Sequence, residues 1–280
     1  MLHNEFMDIG FYLMFYPIVF FYGICIGSFL NVVIYRLPEN ESLIKRSSHC
    51  MKCGAKIRFR DLVPIFSWLF LRGKCHSCGE KISPRYPIVE ALNGIIYLVT
   101  FAVMDFNAHS ILCCIFFSIL ICVGFIDYDT QTMDLGMLAL ILVLAVPDAL
   151  LSDAVSLPDR LIGLVCISVP FFLIGEIVAI YKKKKTGERI RGIELGDTIL
   201  MAASGALIGW KAVCISAFFG IMLAAVGGLI SKYRSGESIF AFGPYLAMGL
   251  FLGTLFGEPL MDWYIALLTY DPYAVVEVVQ

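Results

Sequence analysis

The chain has 280 residues, 59% of them hydrophobic and 16% charged, with a net charge of −2 and a mean hydropathy of +0.83. A soluble domain carries nearer to a quarter charged residues, so the composition excludes an ordinary soluble enzyme and describes a polytopic membrane protein. The small net charge hides a strong segregation of charge along the chain.

Spans of about 20 apolar residues are needed to cross a bilayer. Eight segments qualify: residues 10–35, 87–104, 110–127, 135–151, 160–181, 195–209, 211–230 and 243–266. The first has no basic stretch before it and no small-residue cleavage site after it, so it reads as a retained helix. Of the 21 Lys and Arg residues, eleven fall in residues 36–86, six in 181–192 and two in 231–242. With eight crossings those three loops share one face, which the positive-inside rule makes cytoplasmic. Both termini are then expected outside the cytoplasm.

The first segment ends in GICIGSFLNVVIYRLPENES. Gly23, Gly27 and Ser28 have the small-residue spacing of a close helix contact, and Asn31 reads as a helix-packing hydrogen bond. Residues 36–86 form the one polar domain. Within it Cys50, Cys53, Cys75 and Cys78 make two CxxC pairs separated by 21 residues, the spacing of a zinc ribbon. Each CxxC turn aims two thiolates at one point, and a bound ion would stabilise a domain with too little apolar surface of its own. The remaining cysteines, Cys25, Cys113, Cys114, Cys122, Cys166 and Cys214, lie in apolar segments and read as small hydrophobes. Glu90 sits about one turn into the second span and is expected to pair with a base of the polar loop.

FIDYDTQTMD, residues 125–134, separates two apolar segments, and IELGDTIL opens a later one. A carboxylate at a helix centre costs roughly 2.5–3.5 kcal/mol on insertion scales, and less at a helix end. Asp127 and Asp197 are therefore candidates for a paired-carboxylate site, while Asp129 and Asp134 read as helix-end caps. The tract Lys182 to Lys185 reads as a topology anchor. Gly243-Pro244 opens the last span, and glycines at 249, 253 and 257 form a close-packing face. Read without any family in mind, the acids fit a peptidase, a transporter or proton channel, or an inactive zinc-bearing scaffold.

Taken together, GSFLNVVIYRLP, the two CxxC pairs with DLVPIFSWLFLRGKC between them and ISPRYPIVE after, FIDYDTQ, the Gly196-Asp197 pair and FGPYLAMG resemble the type IV prepilin peptidases nearly end to end. The chain differs where that family typically has Pro-Asp (here Asp134-Leu135), and where its second block has Gly and Lys (here Glu194 and Ile199). The resemblance implies an all-α membrane protein of about eight transmembrane helices, with a small cytoplasmic zinc-ribbon-like domain after the first. Its expected parts are a first helix (1–35), a four-cysteine zinc-binding domain (36–86) and a seven-helix aspartic peptidase domain (87–280). It implies Asp127 and Asp197 as the catalytic pair. The substrate would be a prepilin or pseudopilin precursor with a short basic leader, cut at the cytoplasmic face of the inner membrane. N-methylation of the new terminus from S-adenosylmethionine, associated with the cysteine domain, is implied as well. Structural zinc and the lipid bilayer are expected partners, and nucleic acid is not.

Overall fold

A computed structural model describes residues 2–45, 47–187, 191–235 and 241–269, with the side chains of 2–11 and 234–235 left aside. The expected placement of both chain ends, and part of the basic loops at 181–192 and 231–242, lie outside these residues. The described chain is helical, with α1 (Leu2–Arg36), a 3₁₀ turn (Phe59–Leu62), α2 (Phe66–Phe70), α3 (Arg85–Met104), α4 (Ala108–Thr130), α5 (Leu135–Leu151), α6 (Leu157–Cys166), α7 (Ser168–Thr186), α8 (Leu195–Ser235) and α9 (Gly243–Thr269). Extended pairing among the described residues is limited to two isolated bridges in the polar domain.

Each of the eight apolar segments falls on helix, with two refinements. The segment 160–181 is interrupted at Ile167, between α6 and α7. The segments 195–209 and 211–230 form one run, α8, broken at Gly209, whose backbone (φ 80°, ψ 170°) only glycine adopts readily. By length and composition five stretches among the described residues can cross a membrane: 12–36, 85–104, 108–130, 157–186 and 195–233. α5 is a shorter apolar helix.

The chain divides into two compact units, Met1–Met137 and Leu138–Gln280. In the first, α1, α3 and α4 pack together. The small residues of α1 are required there. A Cβ on Gly23 would lie 2.8 Å from the Gly94 Cα, and one on Gly27 2.7 Å from the Glu90 Cα. This near-contact of backbones brings Asn93 within reach of α1, where its Nδ2 donates to the Gly23 carbonyl at 2.7 Å. The Ser118 hydroxyl of α4 donates to Asn93 Oδ1 at 2.9 Å and also meets the Tyr97 hydroxyl at 2.9 Å. One satisfied polar chain thus crosses all three helices. The Asn31 side chain makes the expected helix-packing bond, Nδ2 to the Tyr86 carbonyl at 3.1 Å. Cys113, Cys114 and Cys122 are buried as small hydrophobes, whereas Cys25, Cys166 and Cys214 are only half-buried.

In the second unit α8 packs against α6, α7 and α9. The break at Gly209 leaves carbonyls at the end of the first half of α8 without helical partners. The buried Arg160 of α6 supplies them: Nη1 donates to Leu207 O at 2.9 Å and Ala206 O at 3.3 Å. Its Nη2 donates to Asp148 Oδ2 of α5 at 2.6 Å, an ion pair that is fully enclosed. Gly249, Gly253 and Gly257 of α9 lie directly on the backbone of α8 around Ala212 and Ser216, as their fourfold spacing implies.

Two stability effects follow from this packing. Gly27→Leu forces α1 and α3 apart and should cost about 1–3 kcal/mol or more, the range for overpacking. Asp148→Ala strands a buried guanidinium and should cost about 3–5 kcal/mol. Reversible unfolding of the purified protein in detergent micelles measures both, and a change below ~0.5 kcal/mol in either would contradict the packing.

Candidate functional site

Two places collect chemistry. The first is the cysteine cluster between α1 and α3, whose two halves are built alike. In each, the first cysteine begins a tight turn that ends on a left-handed glycine: Gly54 N–H donates to the Cys50 carbonyl and Gly79 N–H to the Cys75 carbonyl, both at 2.9 Å. Gly54 (φ 68°) and Gly79 (φ 73°) hold the backbone angle the turn requires. Cys50 N–H returns to the Ala55 carbonyl at 2.9 Å and Cys75 N–H to the Glu80 carbonyl at 2.7 Å. The repeat was legible as CxxCG, a glycine after each pair that the cysteine spacing alone does not use.

These turns bring the four sulfurs within 4.8 Å of one another, with Cys50 and Cys78 Sγ 3.9 Å apart. A tetrahedral ion with metal–sulfur distances of about 2.3 Å needs edges of about 3.8 Å, so the set can hold a metal ion with little movement. Backbone N–H groups of Cys53 and then Lys52 lower the Cys50 thiol to about 6. The Glu80 N–H acts in the same sense on Cys78, but burial and the neighbouring thiols outweigh it and raise that thiol to about 12. One thiolate forms readily here and opposes the next, a conflict that a bound cation removes. His49 and His76 lie outside the cluster.

One bond closes the cysteine domain on itself and another ties it to α3. Trp68 Nε1 donates to the Ile82 carbonyl at 3.1 Å. Ile65 N–H donates to Glu90 Oε2 at 2.6 Å. The expected ion pair of Glu90 with a loop base is thus replaced by a backbone bond, and its donor Ile65 sits at φ 60°, an outlier for a β-branched residue. Between domain and helices lies a cavity of about 500 Å³, lined by Ser28, Asn31, Trp68, Tyr86 and Glu90 among others.

The second place is the pair of helix ends carrying the candidate acids. Asp127 is buried in the last turn of α4, which closes when the left-handed Gln131 donates its N–H to the Asp127 carbonyl at 2.8 Å. Asp129 is not the expected cap. The helix continues to Thr130, so no free N–H groups face Asp129. It instead accepts both arms of Arg85, at 2.9 Å and 2.5 Å, and Arg85 also lies 4.9 Å over the Phe125 ring. This bidentate pair joins the start of α3 to the turn of Asp127; sequence reasoning missed it, since two residues 44 apart show no spacing signal. Asp134 does cap α5, accepting Met137 N–H at 3.0 Å.

Asp197 is buried in the first turn of α8, where Oδ2 accepts the Glu194 N–H at 3.1 Å. That bond caps the helix start, and one carboxylate oxygen of Asp197 takes part in it. The segment before it is pressed on α7 by the Arg191–Glu176 ion pair and by Gly175, where a Cβ would stand 2.8 Å from the Ile193 carbonyl. Asp127 belongs to the first compact unit and Asp197 to the second.

Comparison with known proteins matches residues 21–104 to the bacterial peptidase A24 N-terminal domain and residues 114–229 to the type IV leader peptidase family. The prepilin leader peptidase/N-methyltransferase of Neisseria gonorrhoeae is 33% identical over 256 residues, covering 83% of this chain and 87% of the relative. That of Aeromonas salmonicida strain A449 is 28% identical over 282 residues, 90% and 94% respectively. The protein of the same description from Myxococcus xanthus is 31% identical over 229 residues, and the alignment spans 79% of this chain but 64% of that longer relative. No solved structure matches.

Proposed function

The chain belongs to the type IV leader peptidase family, and on that premise we propose that it removes the short basic leader from prepilin-like precursors with Asp127 and Asp197 as a catalytic pair. The observation that carries this reading is the burial of both acids at helix ends, in the two sequence blocks the family reserves for them. Neither is a surface carboxylate, and Asp127 lies where a cap has no work to do.

Acting as a catalytic pair, two carboxylates cannot both ionise easily, so the pair would share one proton. The ionised member takes a proton from water, which attacks the scissile carbonyl. The protonated member donates toward the carbonyl oxygen and then to the leaving amine. The pair titrates as a unit, so neither role belongs to one residue alone. The Lys and Arg distribution supports a cytoplasmic-facing site in the inner membrane. The proposed organisation is a first helix (1–35), a four-cysteine domain (36–86) and a peptidase domain (87–280). The substrate is a prepilin or pseudopilin precursor held at the bilayer.

Cys50, Cys53, Cys75 and Cys78 would hold a structural zinc, which supplies no step of the cleavage. The names of the relatives support a second activity, methylation of the newly exposed amine, for which S-adenosylmethionine would supply the methyl group.

Asp127→Asn and Asp197→Asn should each reduce cleavage of a purified prepilin by about 10²–10⁴-fold or more, with normal membrane insertion. The double variant should be no worse, because groups acting as one unit are not additive. Asp134→Asn should lose far less. Full activity in Asp127→Asn would remove it from the pair. Separately, metal analysis of the purified chain should give about one zinc per chain, lost in Cys53→Ser and Cys78→Ser. Metal-free wild type, purified without chelator, would refute the zinc assignment.

A further inference from the structure

The cysteine domain carries an apolar face that its own core does not use. Positions 66, 69 and 70 of α2 fall on one side of the helix. All three side chains are exposed: Phe66 by 47%, Leu69 by 57% and Phe70 by 85%. The preceding 3₁₀ turn adds Phe59, exposed by 89%. Trp68 is the inward residue of α2, bonded through its indole to Ile82. The exposed face is therefore the outer side of a helix already seated, not a core left unfilled.

Basic residues flank this face in the sequence. Arg58, Arg60 and Arg72 are exposed, and none is ion-paired among the described residues. Asp61 is the one acid between 58 and 72. The level of the face along α3 follows from the Ile65–Glu90 bond. Glu90 lies five residues into α3, which begins at Arg85, about 7.5 Å along its axis at 1.5 Å per residue. α3 is itself long and apolar enough to span a membrane. α2 thus begins level with the second turn of α3.

We propose that residues 59–70 form an interfacial anchor: Phe59, Phe66, Leu69 and Phe70 enter the boundary between headgroups and acyl chains of an anionic leaflet, and Arg58, Arg60 and Arg72 engage its phosphates. Helices that lie in a membrane surface bury an apolar face under a basic rim, and here an exposed apolar face with arginines beside it in sequence stands level with the second turn of a membrane-capable helix. Large exposed aromatic patches otherwise invite aggregation. The anchor depends on α1 and α3 being spans and not on Asp127 or Asp197, so loss of the peptidase assignment would leave it standing.

The test uses the wild-type chain reconstituted in phosphatidylglycerol/phosphatidylcholine vesicles that contain a diazirine-bearing phospholipid. After illumination and digestion, lipid adducts are expected on the peptide covering 59–70 several-fold above those on the second cysteine turn, 74–80. The yield on 59–70 should fall several-fold in pure phosphatidylcholine and in R58Q/R60Q/R72Q. Equal labelling of the two peptides overturns the anchor. Labelling indifferent to both anionic lipid and the arginines overturns its charge recognition. A precursor helix is the rival occupant: Phe70→p-benzoylphenylalanine that cross-links an added prepilin instead of lipid would assign the face to substrate and refute the proposal.

Discussion

Polar groups buried inside a membrane span need partners in protein, because the bilayer offers no water to do the job; among the described residues Ser204 Oγ is the buried side-chain atom left without one. That constraint accounts for the close backbones as much as for the hydrogen bonds. Asn93 can reach the Gly23 carbonyl only because Gly23 and Gly94 let α1 and α3 nearly touch. Its amide oxygen is then satisfied from Ser118, which brings α4 into the same chain of bonds. The glycines do not add attraction by themselves. They remove the bulk that would keep donor and acceptor apart.

The second unit solves a harder version of the problem. A helix broken at Gly209 exposes carbonyls, and Arg160 answers with a fork that serves two of them while Asp148 balances its charge. A guanidinium suits this place better than an ammonium, since its donors are fixed in a plane and can serve several acceptors at once. The acids at the helix ends sit in a different balance. Asp127 and Asp197 are buried near segment ends, where hydration is within reach and the cost of charge is lower than at mid-span. Around them, Arg85 braces the end of α4 and the Arg191–Glu176 pair holds the approach to α8. Both braces tie helix ends down through long side chains from neighbouring elements, so the acids stand on fixed backbone.

The cysteine domain is small, and its order comes from repetition. Two turns of the same construction face each other, each needing one left-handed glycine, and four sulfurs converge as a consequence. Trp68 bonds Ile82 within the domain, and Ile65 ties the domain to α3 through Glu90. The strained angle at Ile65 persists because the carboxylate on α3 holds its N–H.

Sequence by itself determined the class, the apolar segments, the set of four paired cysteines, the glycine faces of α1 and α9, and the cap at Asp134. These features are periodic or local, so spacing along the chain reports them directly. It also marked Asp127 and Asp197, through motif resemblance. What only the tertiary structure decided is which distant groups answer one another. Arg85 reaches Asp129 rather than leaving it to cap a helix, Glu90 takes a backbone N–H instead of a basic side chain, and Arg160 serves both Asp148 and the broken α8. Each of these bonds joins residues on different elements, and partner choice there depends on how closely the helices approach and where each one stops. Those distances are set by packing, and a linear pattern carries no record of them.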